Sequence, residues 1–165
     1  MTQHSAGPHD ADYAAIDRLL VRYAASLDQC DGPAFVGCFV DGKFTPDEVD
    51  KIMRFHAKYE RTAHYVLNHA YEIEGTTATG TQHAFVTFVR NTAGTLTKFD
   101  MHVRYENDRL AKIDGEWLFT ERTVEVIYST PETPVQKGAR AGFRDGLDDD
   151  SEAQMKREKG TGHGG

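Results

Sequence analysis

At residue 62 the periodicity of this chain changes. Before it, apolar residues recur every three to four positions; after it come long β-branched and aromatic runs. Helices gathered at one end and strands at the other predict an α+β fold rather than alternating βαβ units. A strongly curved antiparallel sheet wrapped around the helices makes a cone with one open end. The cavity between sheet and helices is where a ligand would sit.

The spacing of Ile16, Leu19, Leu20, Tyr23 and Leu27 predicts a first helix over 10–29, with Asp10 as its N-cap. In "DGPAF" Asp31 caps and Pro33 opens a short second helix to about residue 40. "TPDEVDKIMRFHAKY" carries the signature of a third: Thr45 as cap, Pro46 in the first turn and Glu48 closing a capping box. Four long strands are expected after it. "TAG" at 92–94 and the Asp114-Gly115 pair mark hairpin turns. Composition divides the 165 residues into a flexible start over 1–9, one domain over 10–130 and a mostly disordered, glycine- and charge-rich tail over 131–165.

A net charge of −7 argues against a nucleic-acid partner, which would call for a basic patch. No apolar run approaches the roughly 20 residues of a membrane span, and the start lacks a signal peptide's apolar segment. A cytoplasmic protein is expected. Cys30 and Cys38 form no CxxC pair, so they read as small half-buried residues, and no metal site is indicated.

The candidate chemistry lies in "RTAHYVLNHAYEIEG", residues 61–75. His64 and His69 are five apart, so without a bulge they face opposite sides of a strand. His64, Val66 and Asn68 then share one face, and Tyr65, Leu67 and His69 the other. A cavity histidine can move protons near neutral pH if a carboxylate fixes its tautomer. Asp28 is the candidate. It stands in the last turn of the first helix, where the helix dipole disfavours an anion. A solvated helix end is the competing reading. His83 and His102 lie on adjacent expected strands as candidate pocket residues, with ordinary strand positions as the alternative. His56 is expected to flank the third helix, with a place at the pocket rim as the alternative, Trp117 to sit in the core and Arg104 to pair with Glu125.

Three segments in order resemble the SnoaL-like branch of the nuclear transport factor 2-like superfamily. "AIDRLLVRYAASLDQCDGPAFVGCF" is similar to its first two helices, "RTAHYVLNHAYEIEGTTATG" to its H-[FY]-x-x-N segment, and "RYENDRLAKIDGEWLFTER" to its closing hairpin. The resemblance covers about residues 12–129. It implies about three helices on a curved sheet with one deep pocket. It implies an Asp-His pair, matched here by Asp28 and His64, as in the family's dehydratases. Tyr23 matches a tyrosine near the substrate, and Phe88 falls where one of those enzymes has a second histidine. An arginine used by another falls close to Glu125. Asp108, Asp114 and Arg122 match the hairpin pattern and are expected to serve turn geometry and strand pairing. The stretch "CFVDGKFTPDEV" is too short for the strand that usually joins helices two and three, so one wall of the cone should be thin.

The expectation is a cofactor-independent dehydratase, isomerase or cyclase acting on a hydrophobic small molecule. Asp28 and His64 would be catalytic, and Tyr23, Asn68, Phe88, His83 and His102 would bind substrate. A homo-oligomer, dimer or trimer, is implied by the fold. The alternative is a non-catalytic ligand-binding or assembly subunit.

Overall fold

The computed structural model describes residues 9–135. Helix α1 spans Asp10–Asp28, α2 spans Gly32–Val36 and α3 spans Pro46–His56. Strands β1 (Arg61–Glu74), β2 (Thr77–Thr92), β3 (Thr95–Ile113) and β4 (Glu116–Ser129) follow, then a short β5 (Thr133–Pro134). The sheet is antiparallel in the order β1-β2-β3-β4, with β5 pairing β3 beyond the end of β4. The N-terminal segment over 1–8 and the tail beyond 135 lie outside the described residues. Residues 131–135, assigned to the tail by composition, instead finish the sheet edge, with the Val135 N–H donating to the Leu96 carbonyl at 3.0 Å.

Local chemistry sets the helix ends. Thr45 and Glu48 form the expected capping box, and Asp31 accepts from the Ala34 N–H at 2.9 Å. Asp10 is not the cap of α1. It is the first helical residue, behind His9, which makes no side-chain cap. Asp10 and Asp12 still suit the positive end of the helix dipole. Asp12 accepts from Lys112 Nζ at 2.7 Å and Trp117 Nε1 at 2.9 Å, which pins α1 to the hairpin. Helix α2 ends at Val36, four residues before its expected end. The chain then bridges β4 in parallel at Phe39 and Phe119, a one-residue remnant of the strand that the short connection lacks. Cys30 is exposed and takes a left-handed φ of 52°, while Cys38 is buried.

The hairpin turns behave as their sequences require. Asp114 and Gly115 both adopt positive φ, 51° and 88°, the geometry of the tight turn that matches strand twist. The apolar stripe of α1 (Ile16, Leu19, Leu20, Leu27) packs with Phe35, Trp117 and Phe119 in one core cluster. Each such side chain contributes roughly 1.5–3 kcal/mol by leaving water. A second cluster, centred on Val86, Phe88 and Val103, lies farther along the same sheet face.

The sheet bends along a line of register shifts. They fall between Val66 and His69 on β1, Gly80 and Gln82 on β2, and Glu106 and Leu110 on β3 against β4, with a further shift against β4 between His102 and Val103. A bulge bends its strand and raises the local twist. It also exchanges faces. On β1 the inner residues are Thr62, His64 and Val66 before the shift, then His69 and Tyr71 after it, because Val66 pairs Ala84 and His69 pairs Gln82. The two histidines therefore share the helix-facing side, against the simple parity expectation.

Candidate active site

Helices and sheet enclose a cavity of about 560 Å³. Its walls are mainly apolar. Phe35, Phe39 and Phe44 come from α2 and the segment after it, Phe88 from β2, and Met101 and Val103 from β3. Tyr23, Tyr105, His56, His64, Lys51 and Arg122 supply polar atoms.

Asp28 and His64 meet at one wall. His64 Nδ1 donates to Asp28 Oδ1 at 2.6 Å, and the His64 backbone N–H donates to Oδ2 at 2.9 Å. Thr62, two residues earlier and on the same face, donates its hydroxyl to Oδ1 at 2.8 Å. Three donors thus hold a carboxylate that the end of its own helix disfavours. Burial pushes the Asp28 pKa up, but these hydrogen bonds and the His64 charge outweigh it, so Asp28 lies below the ordinary carboxylate value. Because the carboxylate binds Nδ1–H, the basic nitrogen of His64 is Nε2. The ring is almost wholly buried and lines the cavity.

Of the other candidates, Tyr23 and Phe88 line the cavity and Asn68, His83 and His102 do not. Asn68 is exposed within the β1 bulge, where the register shift takes it off the His64 face. His83 and His102 point to the outer face of the sheet, opposite Phe88 and Val103, and contact each other at 2.9 Å between Nδ1 and Nε2. His69, on the inner face, is tied to Asp17 of α1 at 2.8 Å, away from the cavity lining. Tyr65 is exposed on the outer side, and Arg104 pairs with Glu125 as expected.

Arg122 is the residue that sequence reasoning missed. Its guanidinium lies in the cavity wall, 3.7 Å from the Tyr105 ring centroid, 4.3 Å from that of Phe119 and 4.4 Å from that of Tyr23. Gln82 Oε1 accepts from Nη2, and Asp108 Oδ2 stands 3.5 Å away. Among the described residues its Nε and Nη1 have no hydrogen-bond partner. Asp108 was also expected to serve only the hairpin. It is fully buried and accepts the Tyr71 hydroxyl at 2.8 Å. Both residues reach the inner face through the bulges. Along β4 the inner side runs through Trp117 and Phe119, then through Arg122, Val124 and Val126; along β3 it steps from Tyr105 to Asp108. The one available signal was the charge itself: an arginine three residues after a buried phenylalanine, in a strand that closes a pocket.

Among the described residues no group of three or more His, Cys, Asp and Glu side chains could hold a metal ion. No helix among them is long and apolar enough to cross a membrane.

A helix-covered, bent antiparallel sheet over an apolar pocket, with the matches that follow, defines a member of the nuclear transport factor 2-like superfamily. Residues 9–123 match the SnoaL-like domain family, and the chain belongs to it. The fold is shared with a candidate scytalone dehydratase from Novosphingobium aromaticivorans, at 20% identity and a TM-score of 0.62 over 73% of this chain and 87% of that one. It is shared with Rv3472 of Mycobacterium tuberculosis, a protein of unknown function, at 28% identity and a TM-score of 0.56 over 70% and 76%. It is shared also with a type 2 LinA hexachlorocyclohexane dehydrochlorinase, at 16% identity and a TM-score of 0.57 over 81% and 95%. No curated protein matches the sequence.

Proposed function

We propose that the chain is a cofactor-independent lyase that eliminates water or a comparable leaving group from a hydrophobic small molecule. The observation that carries this is the 2.6 Å contact of His64 Nδ1 with Asp28, where His64 lines a cavity that Arg122 also lines. His64 Nε2 takes a proton from a carbon next to a carbonyl. The C–H electrons form the new double bond as the β C–O bond breaks. The departing hydroxide takes the proton from the imidazolium and leaves as water, which regenerates neutral His64. Asp28 holds the tautomer and stabilises the transient charge. Arg122 donates toward the carbonyl oxygen as negative charge develops there. Proton transfer of this kind contributes about 10²–10⁴-fold, and one well-placed donor about 10²–10³-fold. Isomerisation or cyclisation would use the same first proton transfer.

The dehydratase and the dehydrochlorinase among the similar structures support an elimination. The test is a panel of β-hydroxy and β-halo ketones with aromatic or alicyclic rings, followed by absorbance of the conjugated product. Wild type should turn over at least one compound, and His64→Gln should lose about 10²–10⁴-fold. Equal turnover by His64→Gln would overturn the reading.

One observation favours a second reading, a ligand-binding or assembly module. Val124 and Val126 line the cavity yet are 55% and 50% exposed, so its mouth is broad. Binding without turnover across the panel would support that reading.

A further inference from the structure

A second imidazole enters the same cavity from a different element. His56 is the last residue of α3, is 9% exposed and lines the cavity. Its ring centroid lies 5.5 Å from that of His64, and Phe55 meets it edge-on at 5.2 Å. The two rings are tethered in parallel ways. His64 Nδ1 is held by Asp28, and His56 Nδ1 stands 3.0 Å from the Ile52 carbonyl, one turn back on its own helix. A carbonyl oxygen only accepts, so Nδ1 of His56 carries the hydrogen. Nε2 is then the acceptor of the ring whenever the imidazole is neutral. Burial favours that neutral form and pushes the His56 pKa down, and the neighbouring His64 pushes the same way, against the Ile52 carbonyl and Asp28.

The polar atoms of the cavity are unequal in kind. Arg122 and Lys51 can only donate. The Tyr23 and Tyr105 hydroxyls both donate and accept, whereas the two Nε2 atoms of the neutral rings only accept, and the proposed chemistry uses that of His64. A cationic ligand donor would face Arg122 and Lys51, so the group that suits His56 is a neutral one. The aromatic walls, Phe35, Phe44, Phe55 and Phe88 among them, suit a flat ring carrying it.

We propose that His56 is a specificity-determining residue that accepts a hydrogen bond from a neutral hydroxyl of an aromatic ligand bound in this cavity. The assignment rests on reading the cavity as a ligand site, and it does not require turnover. A ligand that lacks the hydroxyl and leaves this acceptor without a donor binds about 5–150-fold more weakly.

The experiment uses the full chain and two probes of similar shape, 1-naphthol and 1-methoxynaphthalene. Affinities come from NMR titration, and the imidazole nitrogens are followed by ¹⁵N–¹H correlation. Wild type should bind 1-naphthol about 10-fold or more tightly than the ether, with the Nε2 resonance of His56 shifting for 1-naphthol alone. His56→Phe, which keeps a ring against Phe55, should bring the ratio to about one. If that variant does not fold, the wild-type nitrogen shift and affinity ratio decide the matter. Equal affinities in wild type, no binding of 1-naphthol, or a preference that survives His56→Phe but is lost in His64→Gln would each overturn the assignment. A protein that reads the naphthol hydroxyl through His56 yet turns over no substrate keeps this inference and loses the catalytic one.

Discussion

Arg122 and Asp108 form an ion pair, Nη2 to Oδ2 at 3.5 Å, with only 2% and 0% of their side chains exposed. Both charges are out of water, so each depends on the other. Burial pushes the Asp108 pKa up, and Arg122 and the Tyr71 hydroxyl pull it back without restoring the ordinary value. Arg122→Met should therefore cost about 3–5 kcal/mol in urea unfolding by leaving the carboxylate unpaired. The double variant Arg122→Met with Asp108→Asn should recover more than half of that loss. Equal losses in the two proteins would show that packing, not pairing, sets the cost.

Asp28→Asn changes a different pair. An amide offers one acceptor oxygen where the carboxylate offers two, so the donors from Thr62, the His64 backbone and His64 Nδ1 cannot all be satisfied. Unfolding free energy at pH 7 should fall by about 1–3 kcal/mol. The folded pKa of Asp28 is lowered, so its stabilisation is present above the unfolded value near ~3.9 and is lost as pH falls through the folded value. Wild type and variant should accordingly converge in stability at the acid end. Imidazole ¹⁵N shifts should also show His64 losing its fixed Nδ1–H tautomer. A tautomer unchanged in the variant would remove Asp28 from its orienting role.

His56 predicts a pH effect of the same sign from a different cause. Its folded pKa is lowered by burial. The unfolded chain then binds more protons than the folded one as pH drops below ~6.5, and stability falls through that window until the folded value is passed. His56→Phe removes the group. Between pH 7.5 and 5.5 its unfolding free energy should decline less than that of wild type. A parallel decline would mean that other groups set the slope.

Gly80 sits where the sheet bends. A Cβ there would lie 2.2 Å from the Ala70 carbonyl oxygen and 2.4 Å from Tyr71 Cδ1. The Tyr71 ring occupies that space and carries its hydroxyl to Asp108. Gly80→Ala should cost about 3 kcal/mol through backbone displacement. It should also disturb the Tyr71 resonances. Gly94→Ala, with open space but a φ of +86°, should cost only about 1 kcal/mol.

Much of the fold was legible because its cues are short. A cap such as Thr45 with Glu48, or a turn such as Asp114-Gly115, is satisfied within a few residues and needs no partner elsewhere. The pairing of Asp28 with His64 was legible in part. A carboxylate stranded in the last turn of a helix, and a strand histidine that needs a carboxylate to fix its tautomer, each pointed to an unmet partner. The resemblance to a family joined them. Asn68 was misplaced, and Arg122 and Asp108 undervalued, because strand parity does not carry across a bulge, whereas parity alone sets His83 and His102 on the face opposite Phe88 and Val103.

The amino-acid sequence by itself determined the main helices and strands, their order, and the ends marked by a cap or turn such as Thr45 with Glu48 or Asp114-Gly115, since hydrophobic periodicity, caps and turns are local free-energy minima. Only the tertiary structure decided which residues face the cavity beyond each bend. A bulge inserts one residue against a neighbouring strand, and its position depends on how the whole sheet curves over α1. That curvature turned Arg122 and Asp108 inward, carried His69 to the side of His64, and brought His56 of α3 beside a histidine of β1.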